Sequence, residues 1–225
     1  MMFYLAFMLP AILLSLLASL RVKLTFAKYS KVPSAYGLTG AEAASRMLSH
    51  AGVHDVHIER VSGFLTDHYD PSSRTLRLSP AVYDSTSIAA IGVACHEAGH
   101  ALQHAEDYMW LSLRSASVPL ASFGSSASYI IILVGALMNA VNLIYLGCAL
   151  FAFVLFFTII TLPVEWNASA RAKEAVLQSG ILGVSEREGA ASVLNAAFLT
   201  YVASAVSTLM TMLYYLMLAR SGRRR

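Results

Sequence analysis

The chain has 225 residues, of which 57% are hydrophobic and 13% are charged. An ordinary soluble domain has roughly 45–50% apolar and about 25% charged residues, so this composition favours a membrane protein and excludes a disordered chain. Two cysteines exclude a disulfide scaffold, and the 13 glycines show no collagen period. The net charge is only +3. Because most basic residues flank apolar runs, we expect the lipid bilayer as a partner and no nucleic acid.

The apolar runs predict four transmembrane helices. The first run, residues 2–20, has 19 residues without a charge, and such a helix is about long enough to cross a bilayer core. No lysine or arginine precedes it, so we interpret residues 1–20 as a retained anchor and not as a cleaved signal peptide. Residues 118–164 contain no charge in 47 positions, which fits a two-helix hairpin that turns near residues 139–142. Residues 190–219 form the fourth predicted helix.

Residues 21–117 have an ordinary polar composition and predict a small α+β domain. Thr39 and Glu42 form a capping-box pattern, which predicts a helix that starts there and stops near Gly52. Alternation of apolar and polar side chains predicts a short strand at residues 56–61. Residues 63–65 then lead to a hairpin whose second arm is residues 75–78. Residues 88–104 are predicted to be helical.

The segment at residues 165–189 is also polar, with a helix predicted at 168–177, and a basic tail follows the last apolar run at 220–225. Because two predicted membrane helices separate them, this segment and the 21–117 domain lie on the same side of the membrane. That side carries twelve lysines and arginines against four at the C-terminus. The positive-inside rule therefore predicts that the domain is cytoplasmic in a multi-pass protein of the cell membrane.

The sequence His96-Glu97-Ala98-Gly99-His100 is an H-E-x-x-H motif on a predicted helix. Residues four apart lie on one helical face, so His96 and His100 can bind a single zinc ion. Glu97 lies one step round the helix, where it can act as a general base towards zinc-bound water. Two histidines satisfied by hydrogen bonds on a half-buried helix are the alternative. The preceding hairpin favours a zinc peptidase, because a strand can present an extended substrate beside the site.

Catalytic zinc needs a third protein ligand and an open fourth position. His104 lies about 12 Å along a straight helix from His96, too far for one ion, and is interpreted as a polar surface residue. The third histidine of the metzincin pattern is absent from the sequence. Glu165 is the first charge after the uncharged run. The residues alone leave two interpretations open: a zinc ligand, or a glutamate at a helix start that the helix dipole favours.

Four segments together resemble the YugP-type bacterial membrane zinc metallopeptidases, and they match in order along nearly the whole chain: residues 28–32, 65–71, 94–103 and 162–172. The resemblance implies a neutral zinc peptidase anchored in the cell membrane. The arrangement is also similar to the HtpX-like gluzincins, which implies that Glu165 is the third ligand of one zinc ion. The expected fold is a mainly α-helical membrane protein, with four transmembrane helices and a small α+β zincin-like (gluzincin) domain.

The sequence departs from the gluzincin pattern at one position. In those peptidases an aspartate four residues after the glutamate supports a zinc-bound histidine. At that position this chain has Ser169. We therefore expect Asn167 or Ser169 to orient a histidine ligand.

Six further residues have less specific interpretations. His68 and Tyr69 could steady a developing oxyanion, but we prefer to interpret them as residues of a hairpin turn set by the Asp-Pro pair that follows. Cys95 is expected to be a small core residue. Arg171 and Lys173, with Glu174, are expected on a solvated helix face at the membrane surface.

The sequence thus predicts a zinc endopeptidase that acts on polypeptides, mainly membrane proteins, in quality control or processing. Intramembrane proteolysis of the site-2 type is disfavoured, because Glu106 and Asp107 follow the motif and its helix does not span the membrane. A non-enzymatic scaffold or chaperone adaptor with a structural zinc remains the alternative, and replacement of Glu97 would distinguish it. The oligomeric state is left open.

Overall fold

The computed structural model describes residues 2–63 and 66–222. These residues form seven α-helices and three β-strands, in the order α1 (Met2–Tyr29), α2 (Gly40–His50), β1 (His57–Arg60), β2 (His68–Asp70), β3 (Thr75–Leu78), α3 (Pro80–Tyr83), α4 (Ile88–Ala105), α5 (Met109–Leu137), α6 (Val141–Gln178) and α7 (Arg187–Gly222). Two compact units are present. We call residues 19–111 and 164–199 the polar unit, and the described residues up to 18, 112–163 and from 200 onward the apolar unit.

Four helices of the described chain are long and apolar enough to cross a membrane, as the sequence predicted: Ala6–Tyr29, Met109–Leu137, Val141–Gln178 and Arg187–Ser221. The predicted turn near residues 139–142 is confirmed, since α5 ends at Leu137 and α6 begins at Val141. Asn139 adopts a left-handed conformation there, with φ of 52°.

The helices extend beyond the apolar runs from which they were predicted. α1 continues to Tyr29, and α5 begins at Met109 instead of residue 118. The helix predicted at 168–177 is confirmed, but it is the last part of α6, which runs without a break from Val141 to Gln178. Residues 64 and 65, before the predicted hairpin, and residues 223–225 of the predicted basic tail lie outside the described residues.

The polar unit contains a three-stranded sheet in the order β1-β3-β2. β2 and β3 form the predicted hairpin, with Tyr69 opposite Leu76, whereas β1 pairs with β3 in parallel. The hairpin turn is held by Asp70, whose Oδ1 accepts hydrogen bonds from the Ser72 backbone nitrogen at 2.9 Å and from its hydroxyl at 2.6 Å. Arg77 donates to the other oxygen of Asp70 at 2.9 Å. These bonds hold the pKa of Asp70 well below its usual range.

α2 begins at the cap that the sequence predicts, and α4 begins at a second cap. Thr39 accepts a hydrogen bond from the Glu42 nitrogen at 3.2 Å, and the Glu42 carboxylate accepts one from the Thr39 nitrogen at 2.8 Å, which completes the capping box. Ser87 caps α4 by accepting from the Ala90 nitrogen at 3.2 Å.

α4 is the central helix of this unit, and its apolar side chains pack in one core with those of the other elements: Met47 of α2, Leu76 and Leu78 of β3, Ile91, Cys95 and Ala98 of α4, and Ala172 and Val176 of α6. Burial raises the pKa of the Cys95 thiol to about 12. Cys95 is therefore a core residue, as the sequence predicted.

Gly99 allows α4 to lie directly against α6. A Cβ atom at Gly99 would lie only 2.6 Å from the carbonyl oxygen of Ala168, whereas one at Gly92 would lie 3.6 Å from Ala190, which is an ordinary contact. The H-E-x-x-H helix therefore needs a glycine at the fourth position of the motif, directly before His100, for its close contact with α6.

We expect Gly99→Ala to lower the stability of the folded protein by about 1–3 kcal/mol, because the added methyl group collides with a backbone atom that cannot rotate away. Gly92→Ala is the matched control on the same helix, and it should be neutral or slightly stabilising, because alanine has the higher helix propensity. Thermal unfolding of the detergent-solubilised protein measures both effects. Equal unfolding temperatures for Gly99→Ala and wild type would contradict the close contact.

Candidate metal centre

Three side chains of the polar unit bring their ligand atoms together. Glu165 Oε2 lies 3.2 Å from His96 Nε2 and 3.6 Å from His100 Nε2. The two imidazole rings meet edge to face, with centroids 4.9 Å apart. In a tetrahedral site with zinc–ligand bonds of about 2.0–2.1 Å, ligand atoms are roughly 3.3 Å apart. The two distances from Glu165 Oε2 therefore fit ligands of one zinc ion, and the ligand atoms of all three residues lie within 4.8 Å of one another. The described residues contain no other such group of three.

Glu165 is deeply buried, with 2% of its side chain exposed, and the side chains of His96 and His100 are 13% and 10% exposed. Burial of a carboxylate is costly unless it is paired or bound to a metal. The alternative of a glutamate at a helix start is wrong, because α6 begins at Val141 and Glu165 lies well inside it. The helix dipole acts only within about the first turn.

The Nδ1 atoms of both histidines contact further polar side chains. The Ser169 hydroxyl lies 3.1 Å from His96 Nδ1, and Gln103 Oε1 lies 3.0 Å from His100 Nδ1. Of the two residues expected to orient a histidine, Ser169 makes the direct contact. Asn167 acts one step further away, because its side-chain oxygen accepts a hydrogen bond from Gln103 Nε2 at 2.9 Å.

Gln103 was not among the site residues that the sequence predicted. It follows His100 by three positions, so both lie on one face of α4, and this spacing is the signal that could have identified it.

Glu97 is half-buried beside the two histidines. Burial raises the pKa of its carboxyl group, the charges of Glu165 and Asp67 act in the same direction, and those of the histidines oppose it. No hydrogen bond to the Glu97 side chain is found among the residues that the structure describes. A carboxylate of raised pKa that is not engaged by the protein is suited to accept a proton from water.

The interpretation of His68 and Tyr69 as turn residues is wrong, because both lie on strand β2. His68 is exposed, and its Nδ1 lies 2.8 Å from the Thr66 carbonyl oxygen. The Tyr69 hydroxyl lies 2.8 Å from His104 Nδ1, and burial raises the Tyr69 pKa. His104 is therefore a half-buried, bonded residue and not the predicted surface histidine, and it is not in the ligand group. A role for His68 or Tyr69 at an oxyanion stays a prediction.

Arg171 and Lys173 are half-buried and bonded, whereas Glu174 on the same stretch of α6 is exposed. Arg171 donates to both carboxylate oxygens of Glu106, at 2.6 and 2.8 Å, and to Asn167 at 2.7 Å. Lys173 donates to Asn195 at 2.7 Å, and its Nζ lies 5.6 Å from the centre of the Trp166 ring. Both cations are therefore bound to neighbouring side chains of the polar unit.

Loss of the Ser169 hydroxyl should weaken metal binding, because the His96 ring loses the group that holds its Nδ1. We expect Ser169→Ala to lower zinc affinity by roughly tenfold. Ser49→Ala, on the exposed face of α2, is the matched control. Zinc affinity is measured by competition with a chelator. Equal affinity of Ser169→Ala and Ser49→Ala would show that Ser169 does not support the site.

The chain is similar to known proteins along nearly its whole length. A family model described as "Putative neutral zinc metallopeptidase" matches residues 4–220. The "Putative membrane protease YugP" of Bacillus subtilis (strain 168) is 47% identical over 222 residues, which are 99% of this chain and 99% of that protein. No solved structure matches the chain, so the gluzincin-like fold stays a prediction. The resemblance found in the sequence is confirmed, and the chain belongs to the neutral zinc metallopeptidase family that this model describes.

Proposed function

We propose that the protein is a membrane-anchored endopeptidase with one zinc ion bound by His96, His100 and Glu165. The observation that carries this proposal is the convergence of one carboxylate oxygen and two imidazole nitrogens within 4.8 Å of one another, with the carboxylate oxygen 3.2 and 3.6 Å from the nitrogens. Membership of a zinc metallopeptidase family supports it. The ligands come from α4 and α6 of the polar unit, which we propose to be a small gluzincin-like domain.

Bound zinc supplies a Lewis acid that lowers the pKa of water to about 7 and polarises a carbonyl group. Glu97 acts as the general base: it takes a proton from the attacking water and then delivers it to the leaving amine. Burial raises the pKa of its carboxyl group, which makes Glu97 a stronger proton acceptor than an exposed glutamate. His96 and His100 hold the ligand positions through the contacts at their Nδ1 atoms.

We infer that the substrates are polypeptides, mainly membrane proteins or flexible segments cut close to the bilayer, in quality control or processing. Glu165 comes directly after the uncharged stretch, which ends at residue 164. The relative from Bacillus subtilis is named a membrane protease. The excess of lysine and arginine on the side of the polar unit, twelve against four, supports a cytoplasmic location for that unit. Equal cleavage of soluble unfolded polypeptides and membrane-tethered ones would argue against this substrate class.

Two other functions receive less support. Intramembrane proteolysis needs a motif helix within the bilayer, but α4 is not among the candidate spans found in the described chain. A structural zinc is usually closed by four protein ligands, often including cysteine. The ligand group in the described residues has three members, and Cys95 is not one of them.

Glu97→Gln removes the base and keeps the shape of the side chain. We expect the variant to bind zinc as wild type does and to lose about 10²–10⁴-fold in kcat/KM on a polypeptide substrate, because proton transfer is lost. Zinc content and peptidase activity are measured on the same detergent-solubilised sample. A Glu97→Gln variant with wild-type activity would exclude Glu97 as the base.

Glu165→Ala removes a proposed ligand. We expect zinc affinity to fall by more than the roughly 10–100-fold that loss of a supporting contact costs. Glu174→Ala is the control, because Glu174 is an exposed glutamate on the same helix. Zinc retained in Glu165→Ala would mean that the third ligand lies elsewhere.

A further inference from the structure

We propose that Gln103 is a positioning residue that fixes the tautomer of His100, and that the Arg171–Glu106 ion pair fixes Gln103 through Asn167. This inference rests on the proposed function and adds supporting residues to the same zinc site.

Gln103 lies fully inside the polar unit, with 0% of its surface exposed. Its Nε2 lies 2.8 Å from the Val164 carbonyl oxygen and 2.9 Å from Asn167 Oδ1. A backbone carbonyl only accepts hydrogen bonds, so the nitrogen of the Gln103 amide must face Val164. The oxygen of the amide must then face His100. The contact with Val164 thus removes the usual ambiguity between the two orientations of a glutamine amide.

This orientation determines the protonation of the His100 ring. Gln103 Oε1 lies 3.0 Å from His100 Nδ1 and can only accept, so Nδ1 must carry a hydrogen. In the neutral ring the lone pair is then on Nε2, the atom that lies 3.6 Å from Glu165 Oε2. A neutral imidazole whose other nitrogen donates a hydrogen bond is the form in which histidine binds zinc.

The same reasoning fixes Asn167. The guanidinium group of Arg171 only donates, and its Nε lies 2.7 Å from Asn167 Oδ1. Asn167 therefore presents its oxygen to Arg171, and this oxygen also accepts the second N–H of Gln103. Arg171 is in turn held by Glu106 through two bonds, at 2.6 and 2.8 Å. These side chains form one series of hydrogen bonds that runs from Glu106 through Arg171, Asn167 and Gln103 to His100. Each side chain fixes the orientation of the next one.

The series also connects the two helices that carry the ligands. Gln103 and Glu106 belong to α4 and its C-cap, whereas Val164, Asn167 and Arg171 lie on α6. Val164 directly precedes the ligand Glu165, so Gln103 bonds one ligand ring and the backbone next to another ligand. A leucine at position 103 would fill similar volume but would leave His100 Nδ1 without the partner that Gln103 Oε1 provides.

The test is the zinc affinity of the full-length, detergent-solubilised protein, measured by competition with a chelator. Gln103→Leu should bind zinc about 10–100-fold more weakly than wild type. Gln178→Leu makes the same change at an exposed position of α6 and should leave the affinity unchanged. If Gln103 only fills space, Gln103→Leu will shift thermal unfolding but not zinc affinity, and the proposal is overturned.

A second pair of variants keeps the test independent of whether Gln103→Leu folds. Asn167→Asp retains an oxygen for both Arg171 and Gln103 and should bind zinc nearly as wild type does, whereas Asn167→Leu should bind it more weakly. Equal affinity of Asn167→Leu and wild type would overturn the coupling through Asn167. A wild-type protein that binds no zinc would instead refute the proposed function, so the two failures are distinguishable.

Discussion

At Gly99 the backbone of α4 lies so close to that of α6 that an added methyl carbon would be 2.6 Å from the Ala168 carbonyl oxygen. The candidate site depends on this contact. His100 follows Gly99 directly on one helix, and Glu165 lies about one turn before Ala168 on the other. A larger residue at position 99 would push the helices apart and separate the carboxylate from the imidazoles. The small residue directly before His100 is therefore needed for the geometry of the candidate site.

Close packing at this contact places polar groups where water is largely excluded. A carboxylate that is 2% exposed, between two imidazoles, costs stability unless its charge is compensated. Each histidine beside this carboxylate is also bonded to a polar side chain: Ser169 contacts His96, and Gln103 contacts His100. Such an arrangement is expected where a protein must hold ligand atoms in a fixed geometry. If these buried side chains only packed α4 against α6, apolar side chains would serve better.

Local patterns in the sequence predicted much of the fold. The capping box at Thr39, the hairpin arm at residues 75–78, the motif helix and the four apolar helices each depend on neighbouring residues. The continuous α6 was not predicted, because its apolar and polar parts differ in composition and Pro163 lies near their junction. The bonds of Gln103 to Asn167 and of Arg171 to Glu106 join residues 64 and 65 positions apart. Helical periodicity contains no information about such contacts.

Zinc K-edge X-ray absorption of the purified wild-type protein tests the ligand set most directly. We expect one zinc per chain, with nitrogen and oxygen neighbours at about 2.0–2.2 Å and the multiple-scattering signature of two imidazoles. A sulfur neighbour at about 2.3 Å would indicate a cysteine ligand. That result, or a zinc with no imidazole signature, would contradict the assignment of His96, His100 and Glu165.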